Sequence, residues 1–171
     1  MKKVFLLALF AIGFGTASNA QTISENALGL RIGGANGYGA EVSYQRAIGG
    51  DNNRLEFDLG WRNDASRYNS VKLAALYQWV WNIDGGFNWY AGAGGGIGNI
   101  SAKDDRYYND KKYKYYDETF VFLAGNIGIE YNFDIPLLIS LDLRPEIGFI
   151  NDNNDIDKLS PDIAVGVRYQ F

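Results

Sequence analysis

The chain has 171 residues, a formal net charge of −4, no cysteine and no histidine. That length suggests one domain, the acidic balance excludes a nucleic-acid face, and the missing cysteines exclude disulfides and lipoprotein processing. The absent histidine removes the commonest general base and the commonest transition-metal ligand.

Residues 1–20 are predicted to be a cleaved signal peptide. "MKK" is a basic start, Val4 to Gly15 an apolar stretch, and "SNA" (Ser18 to Ala20) supplies the small residues read at cleavage. The apolar stretch falls short of the ~20 residues a spanning helix needs. Residues 21–171 then form the mature domain, and losing Lys2 and Lys3 takes its formal charge to −6.

Eight strands are predicted from period-2 alternation. Residues 27–34 set Leu28, Leu30 and Ile32 against Arg31. Residues 39–48 set Val42 and Tyr44 against Glu41, Ser43 and Gln45. Residues 54–63 set Leu55, Phe57, Leu59 and Trp61 against Glu56, Asp58 and Arg62. Residues 70–83 carry Val71, Leu73, Tyr77, Trp79, Trp81 and Ile83 on one face, with Lys72 on the other. Residues 87–100 oppose Phe87, Trp89 and Ile97 to a row of glycines, Gly92, Gly94, Gly96 and Gly98. Residues 118–133 oppose Val121, Leu123, Ile127, Ile129, Tyr131 and Phe133 to Asn126 and Glu130. Residues 137–150 oppose Ile139, Leu141, Leu143, Ile147 and Phe149 to Asp142, Arg144 and Glu146. The last, Ser160 to Phe171, alternates Ile163, Val165, Val167, Tyr169 and Phe171 with Asp162 and Arg168. The connections alternate in size. Gly49–Asn53, Asp84–Gly86 and Asp134–Pro136 are tight turns, whereas Ala35–Tyr38, Asp64–Asn69, Ser101–Asp117 and Asn151–Leu159 are mostly longer and more polar. A meander then has a short end and a long end, as outer-membrane barrels do.

A soluble lipocalin-like carrier would alternate in the same way, so three features decide which face points out. Bare glycine on a solvated strand face packs nothing, but inside a narrow barrel it makes room for long side chains from across the lumen. The polar face carries both signs: Arg31, Arg54, Arg62, Lys72, Arg144 and Arg168 against Glu41, Glu56, Asp58, Glu130, Asp142, Glu146 and Asp162. Turned inward, these are expected to pair as a lumen charge network, because an unpaired buried charge is prohibitive. The aromatics Tyr44, Trp79, Trp81, Trp89, Tyr131, Phe133, Tyr169 and Phe171 gather at the short-turn end, as a girdle at a membrane interface does. The expected fold is therefore all-β: an eight-stranded antiparallel up-and-down transmembrane β-barrel, apolar outside, with a polar lumen filled by side chains.

No catalytic or metal site is expected. Glu56 and Asp58 could do acid–base work as a pair, but they read better as partners of Arg31, Arg54 or Arg62. "NDNNDIDK" (Asn151 to Lys158) offers oxygens but lacks the spaced glycine and closing Glu of a calcium loop. "GAGGGIG" (Gly92 to Gly98) lies in a strand with no helix after it, so the phosphate-loop reading fails. The most informative connection is 101–117, where Tyr107, Tyr108, Tyr113, Tyr115 and Tyr116 stand among Lys and Asp. Tyrosines give large contact area at low entropic cost, so this loop is the candidate surface-interaction element. Its expected partner is an extracellular protein or lipopolysaccharide. The alternative reading, compatible with this one, is a pair of strands extended past the membrane with the tyrosines stacked across a hairpin.

With its signal, its dyad pattern and its ending "IAVGVRYQF", the chain over residues 27–171 resembles the small eight-stranded outer-membrane barrel family of Gram-negative bacteria. The resemblance implies an integral outer-membrane protein in contact with lipid, and no cofactor. It implies that Phe171, with Tyr169, Val167 and Val165 at two-residue spacing, belongs to the signal read by the barrel-assembly machinery. The family's lipid hydrolases and acyltransferases use a histidine, which this chain lacks. One departure is Ala35–Tyr38, a short connection for the family. The expected role is structural or adhesion-like through 101–117. A narrow gated channel for small ions is the alternative, and the lipocalin-like carrier a further one.

Overall fold

The computed structural model describes residues 23–33, 39–49, 52–64, 68–104, 114–150 and 160–171. Eight strands follow in order: β1 Asn26–Gly33, β2 Ala40–Ile48, β3 Asn53–Asp64, β4 Tyr68–Asp84, β5 Phe87–Asp104, β6 Lys114–Asn132, β7 Leu137–Ile150 and β8 Ser160–Gln170. Each pairs antiparallel with its neighbour in sequence, and β8 returns to β1, so the barrel is closed.

Closure extends to the last residue. The Asn26 N–H donates to the Phe171 carbonyl at 3.1 Å and the Phe171 N–H donates to the Asn26 carbonyl at 2.9 Å. A final residue held by both backbone groups does not fray, and in lipid an unpaired backbone group would cost several kcal/mol (~2–7).

The strands are staggered. A circuit from Ala27 runs through Gln45, Glu56, Leu76, Gly94, Ala124 and Glu146 to Ser160, ten residues from the Gln170 that pairs with Ala27 at the seam. Eight staggered strands tilt by about 35–45° and leave an interior just wide enough for side chains.

Burial is inverted relative to a water-soluble protein. Among the described residues, 18 buried side chains are polar or charged and 10 are hydrophobic, while 30 large hydrophobics are exposed. The apolar faces of β1 to β8 form the outer surface, which excludes a soluble carrier with its polar face outward. The alternation alone could not choose between the two.

Two connections differ from the sequence expectation. Asp64 pairs with Tyr68 and Asn63 with Asn69, so the β3–β4 connection is the three residues 65–67, not Asp64–Asn69. Likewise Ser101 pairs with Asp117 and Asp104 with Lys114, so β5 and β6 run well into the segment expected as a loop. Polar side chains carry this upper hairpin: Asn99 Nδ2 donates to Thr119 Oγ1 at 3.3 Å, and the Ser101 hydroxyl bonds the Asp117 carboxylate. The ladder at 101–104 and 114–117 bears out the alternative reading of this segment as a pair of extended strands.

Candidate functional site

The lumen is the site the fold builds. Inward parity brings polar residues from all eight strands together, and three arginines organise its middle. Arg31 on β1 donates from Nε and Nη2 to Asp142 of β7 (3.1 and 2.7 Å), and from Nη1 to Glu41 of β2 at 2.9 Å and Asp162 of β8 at 2.8 Å. Arg144 on β7 reaches across to β3, donating from Nη2 to Glu56 at 2.7 Å and Asp58 at 2.6 Å. Arg168 on β8 donates to Ser43 at 2.9 Å, Ser140 at 2.8 Å and Glu56 at 3.2 Å. All three guanidiniums are fully buried. Arginine suits this place because its planar fork offers five donors in fixed directions, so one residue can bind carboxylates from several strands.

A second centre lies nearer the short-turn end. Arg54 of β3 pairs with Glu130 of β6 through two bonds of 3.1 and 2.7 Å, and its Nε donates to Gln78 at 2.6 Å. Its guanidinium also sits 4.9 Å from the centre of the Tyr90 ring, a cation–π contact. Gln78 donates onward to Asn126, and Asn126 to Asp142, which joins the two centres. Towards the long-loop end Lys72 bonds Glu146 at 2.9 Å, stands 3.3 Å from Glu41, and lies over the Phe122 ring at 5.4 Å.

The structure thus brings together Arg31, Glu41, Glu56, Asp58, Lys72, Glu130, Asp142, Arg144, Glu146 and Arg168, with Arg54 and Asp162. Arg62 is a correction. It has inward parity, but it stands near the end of β3, where the pairs Asn63–Asn69 and Asp64–Tyr68 carry the wall to the rim, and it is exposed.

Not all of the lumen is polar. Ala74, Leu76, Phe122 and Ala124 form a buried apolar cluster with Phe120 against it, on the inner face of β4 and β6. Here the glycine row of β5 acquires a specific reason. A Cβ on Gly96 would collide with the Phe122 ring and the Leu73 carbonyl, and one on Gly98 with the Phe120 ring. Gly96 and Gly98 admit two rings from the adjacent strand, where the sequence reading expected long chains from across the lumen. Gly128 similarly lies under Tyr90. Tyr90, Gln78, Leu76 and Phe122 were not singled out from the sequence. Their signal was available, since each lies at an even spacing from a residue that was.

On the outer surface, Trp81 stacks on Trp89 with ring centres 4.3 Å apart, Phe87 meets Tyr131 at 4.5 Å, and Tyr131 meets Phe133 at 4.7 Å. Tyr77 meets Trp79 at 5.0 Å, and Tyr169 stacks with Phe171 at 6.2 Å. Tyr44 is half-buried and its hydroxyl donates to Asn26 at 2.8 Å. All these residues lie towards the ends of their strands nearest the short turns and the chain's last residue. Val165 and Val167 face out on β8, paired with Leu141 and Ile139 of β7 and Ile32 and Leu30 of β1.

Of the tyrosines in 101–117, Tyr107, Tyr108 and Tyr113 lie outside the described residues. Tyr115 and Tyr116 belong to β6, opposite Lys103 and Ala102. No group of three or more acidic side chains is placed to hold a metal ion among the described residues.

No family model matches the chain, and no curated protein matches it. Solved structures do. Neisserial surface protein A matches with a TM-score of 0.58 at 13% identity, over 85% of this chain and 94% of that one. Ail, the attachment invasion locus protein of Yersinia pestis, matches at 0.54 and 15%, over 86% and 97%. The N-terminal β-barrel domain of Pseudomonas aeruginosa OprF matches at 0.53 and 13%, over 85% and 95%. At such identities the likeness speaks for the fold: closed, staggered and apolar on its outer face, the chain has the architecture of the small eight-stranded outer-membrane barrels.

Proposed function

We propose that this protein is an integral outer-membrane barrel, exported by residues 1–20, that conducts no ions and holds the β5–β6 hairpin at the outer surface for contact with an extracellular protein or lipopolysaccharide. The observation that carries the closed reading is the crossing of the mid-lumen by Arg31, Arg144 and Arg168, each fully buried and bonded to groups from at least two other strands, Arg144 through Glu41 of β2 at 3.4 Å as well as β3. The display reading is supported by strand length. β5 and β6 have 18 and 19 residues, against the ~9–11 that cross a bilayer. Ail, which shares the fold, is named for attachment and invasion. In this reading the girdle Tyr44, Trp79, Trp81, Trp89, Tyr131, Phe133, Tyr169 and Phe171 sits at the inner interface, and no catalysis is involved.

Two measurements test it. Reconstituted in planar bilayers, the protein is expected to give no unitary conductance steps, and stable steps at neutral pH would favour the gated channel instead. In cells, replacing residues 105–113 by a short Gly-Ser linker is expected to leave the barrel assembled and abolish surface binding. Undiminished binding would remove the hairpin from the proposal.

The assembly signal is a separate proposal resting on Phe171, Tyr169, Val167 and Val165. Phe171 is tied to Asn26 by backbone groups alone, and its ring is 61% exposed. Phe171→Ala is therefore expected to refold in detergent nearly as well as the parent, while delivery to outer membranes by the barrel-assembly machinery falls several-fold. Parallel losses in both would leave Phe171 a packing residue.

A further inference from the structure

The segment ahead of β1 lies where the barrel wall does not need it. Ile23 is 8% exposed and packs on Val80 and Tyr90, with Ala47 against them. Val80 belongs to β4 and Tyr90 to β5, and in a closed barrel of eight strands in sequence order these stand opposite β1. Glu25 is still bonded to Ala47 of β2, and Ser24 and Ile23 beyond it leave the wall and reach into the short-turn mouth of the lumen. Ile23 and Ser24 there line a recess together with Gln45, Arg54, Glu130 and Gln170.

The chemistry of the mouth explains why Ile23 goes there. Buried Asn88 and half-buried Asn82 and Asn132 mark this level as polar. Val80 and Tyr90 are inward apolar groups on its far wall, and Ile23 packs on both. Ala27 and Ala47, small and inward on β1 and β2, leave the space through which the segment passes. Among the described residues its polar ties run to β2. The Ala47 N–H donates to the Glu25 carbonyl at 2.9 Å, and Glu25 pairs with Arg46 at 2.9 Å in an ion pair whose side chains are 69% and 47% exposed. Exposed pairs of that kind hold weakly.

We propose that Ile23–Glu25 is a displaceable strap that seals the short-turn mouth, a second closure below the arginine plug. Releasing it costs the Ala47–Glu25 backbone bond but none of the β1–β2 and β1–β8 pairs that begin at Asn26 and Ala27. It opens a recess whose floor is the Arg54–Glu130 pair. The strap stands on its own contacts, whether or not the mid-lumen conducts.

The chain has no cysteine, so Val80→Cys and Ser43→Cys each place a single thiol, one beneath the strap and one at the level of the plug, where Ser43 accepts from Arg168. Both are reconstituted, checked for closure by faster gel migration when unheated, and treated with a charged, water-soluble maleimide. Val80→Cys is expected to label slowly. Adding Ile23→Asp should raise its rate by about tenfold or more, the scale set by burial of one large aliphatic side chain. Ile23→Ala should give an intermediate rate, and because Ile23 precedes the wall, both backgrounds should still close. Labelling of Val80→Cys that is equally fast with and without the Ile23 changes overturns the strap. Fast labelling of Ser43→Cys in every background, with Val80→Cys still governed by Ile23, supports the strap and overturns the closed mid-lumen.

Discussion

Arg31→Met is expected to cost roughly 3–5 kcal/mol of stability, the range for removing one partner of a buried ion pair. The change keeps an unbranched chain of similar length but removes the donors to Asp142, Glu41 and Asp162, which are all buried. Three carboxylates then share what Arg144, Lys72 and Asn126 can still offer. The control is Arg46→Met, which breaks the exposed pair with Glu25 and should cost about 0–1 kcal/mol. Denaturant unfolding in detergent or lipid measures both. Adding Asp142→Asn to Arg31→Met should recover part of the loss, because it removes one of the orphaned charges. If Arg31→Met and Arg46→Met proved equally mild, the lumen would be wet enough to screen its charges and the plug would fail as a barrier.

Leu141→Arg is expected to cost about 2–4 kcal/mol and to impair insertion, as arginine does on the lipid face of a barrel near the midplane. Leu141 is 47% exposed on the outer face, between Ile139 and Leu143 and beside Ile129 and Val165 on the neighbouring strands. Its chain neighbour Ser140 points the other way, is buried, and accepts a 2.8 Å bond from Arg168. Ser140→Ala leaves one donor of buried Arg168 without its acceptor, so it should cost about 1–3 kcal/mol while leaving insertion intact. Unfolding in lipid compares adjacent residues on opposite faces. Equal loss of insertion at both positions would mean that the outer surface is not in hydrocarbon.

The hairpin β5–β6 and the residue Arg62 show where period-2 reading stops. On Ile127, Ile129 and Tyr131 the alternation with Asn126, Gly128 and Glu130 marks the strand. Beyond Thr119 the alternation lapses, with Ile100 and Ala102 opposite Glu118 and Tyr116, and the pairs Ser101–Asp117 to Asp104–Lys114 decide that the ladder goes on. Arg62 fails for the same reason in another form. Parity assigns a face but not a height, and burial near a rim depends on how far the wall rises around it.

By itself the sequence determined the strand count, the two faces of each strand and the short-turn end, because these follow from a local period of two and from turn chemistry. It also showed that inward charges of both signs must pair, since unpaired they could not be buried. The tertiary structure alone decided which pairs form. Arg31 meets Asp142 and Arg144 meets Asp58 across 111 and 86 residues, and such partners depend on the ten-residue stagger that closure imposes. It likewise decided that Phe120 and Phe122 lie over the β5 glycines and that Ile23 crosses to β4 and β5. Neither has a local pattern to betray it: each is a fit between surfaces that become neighbours only when the eighth strand meets the first.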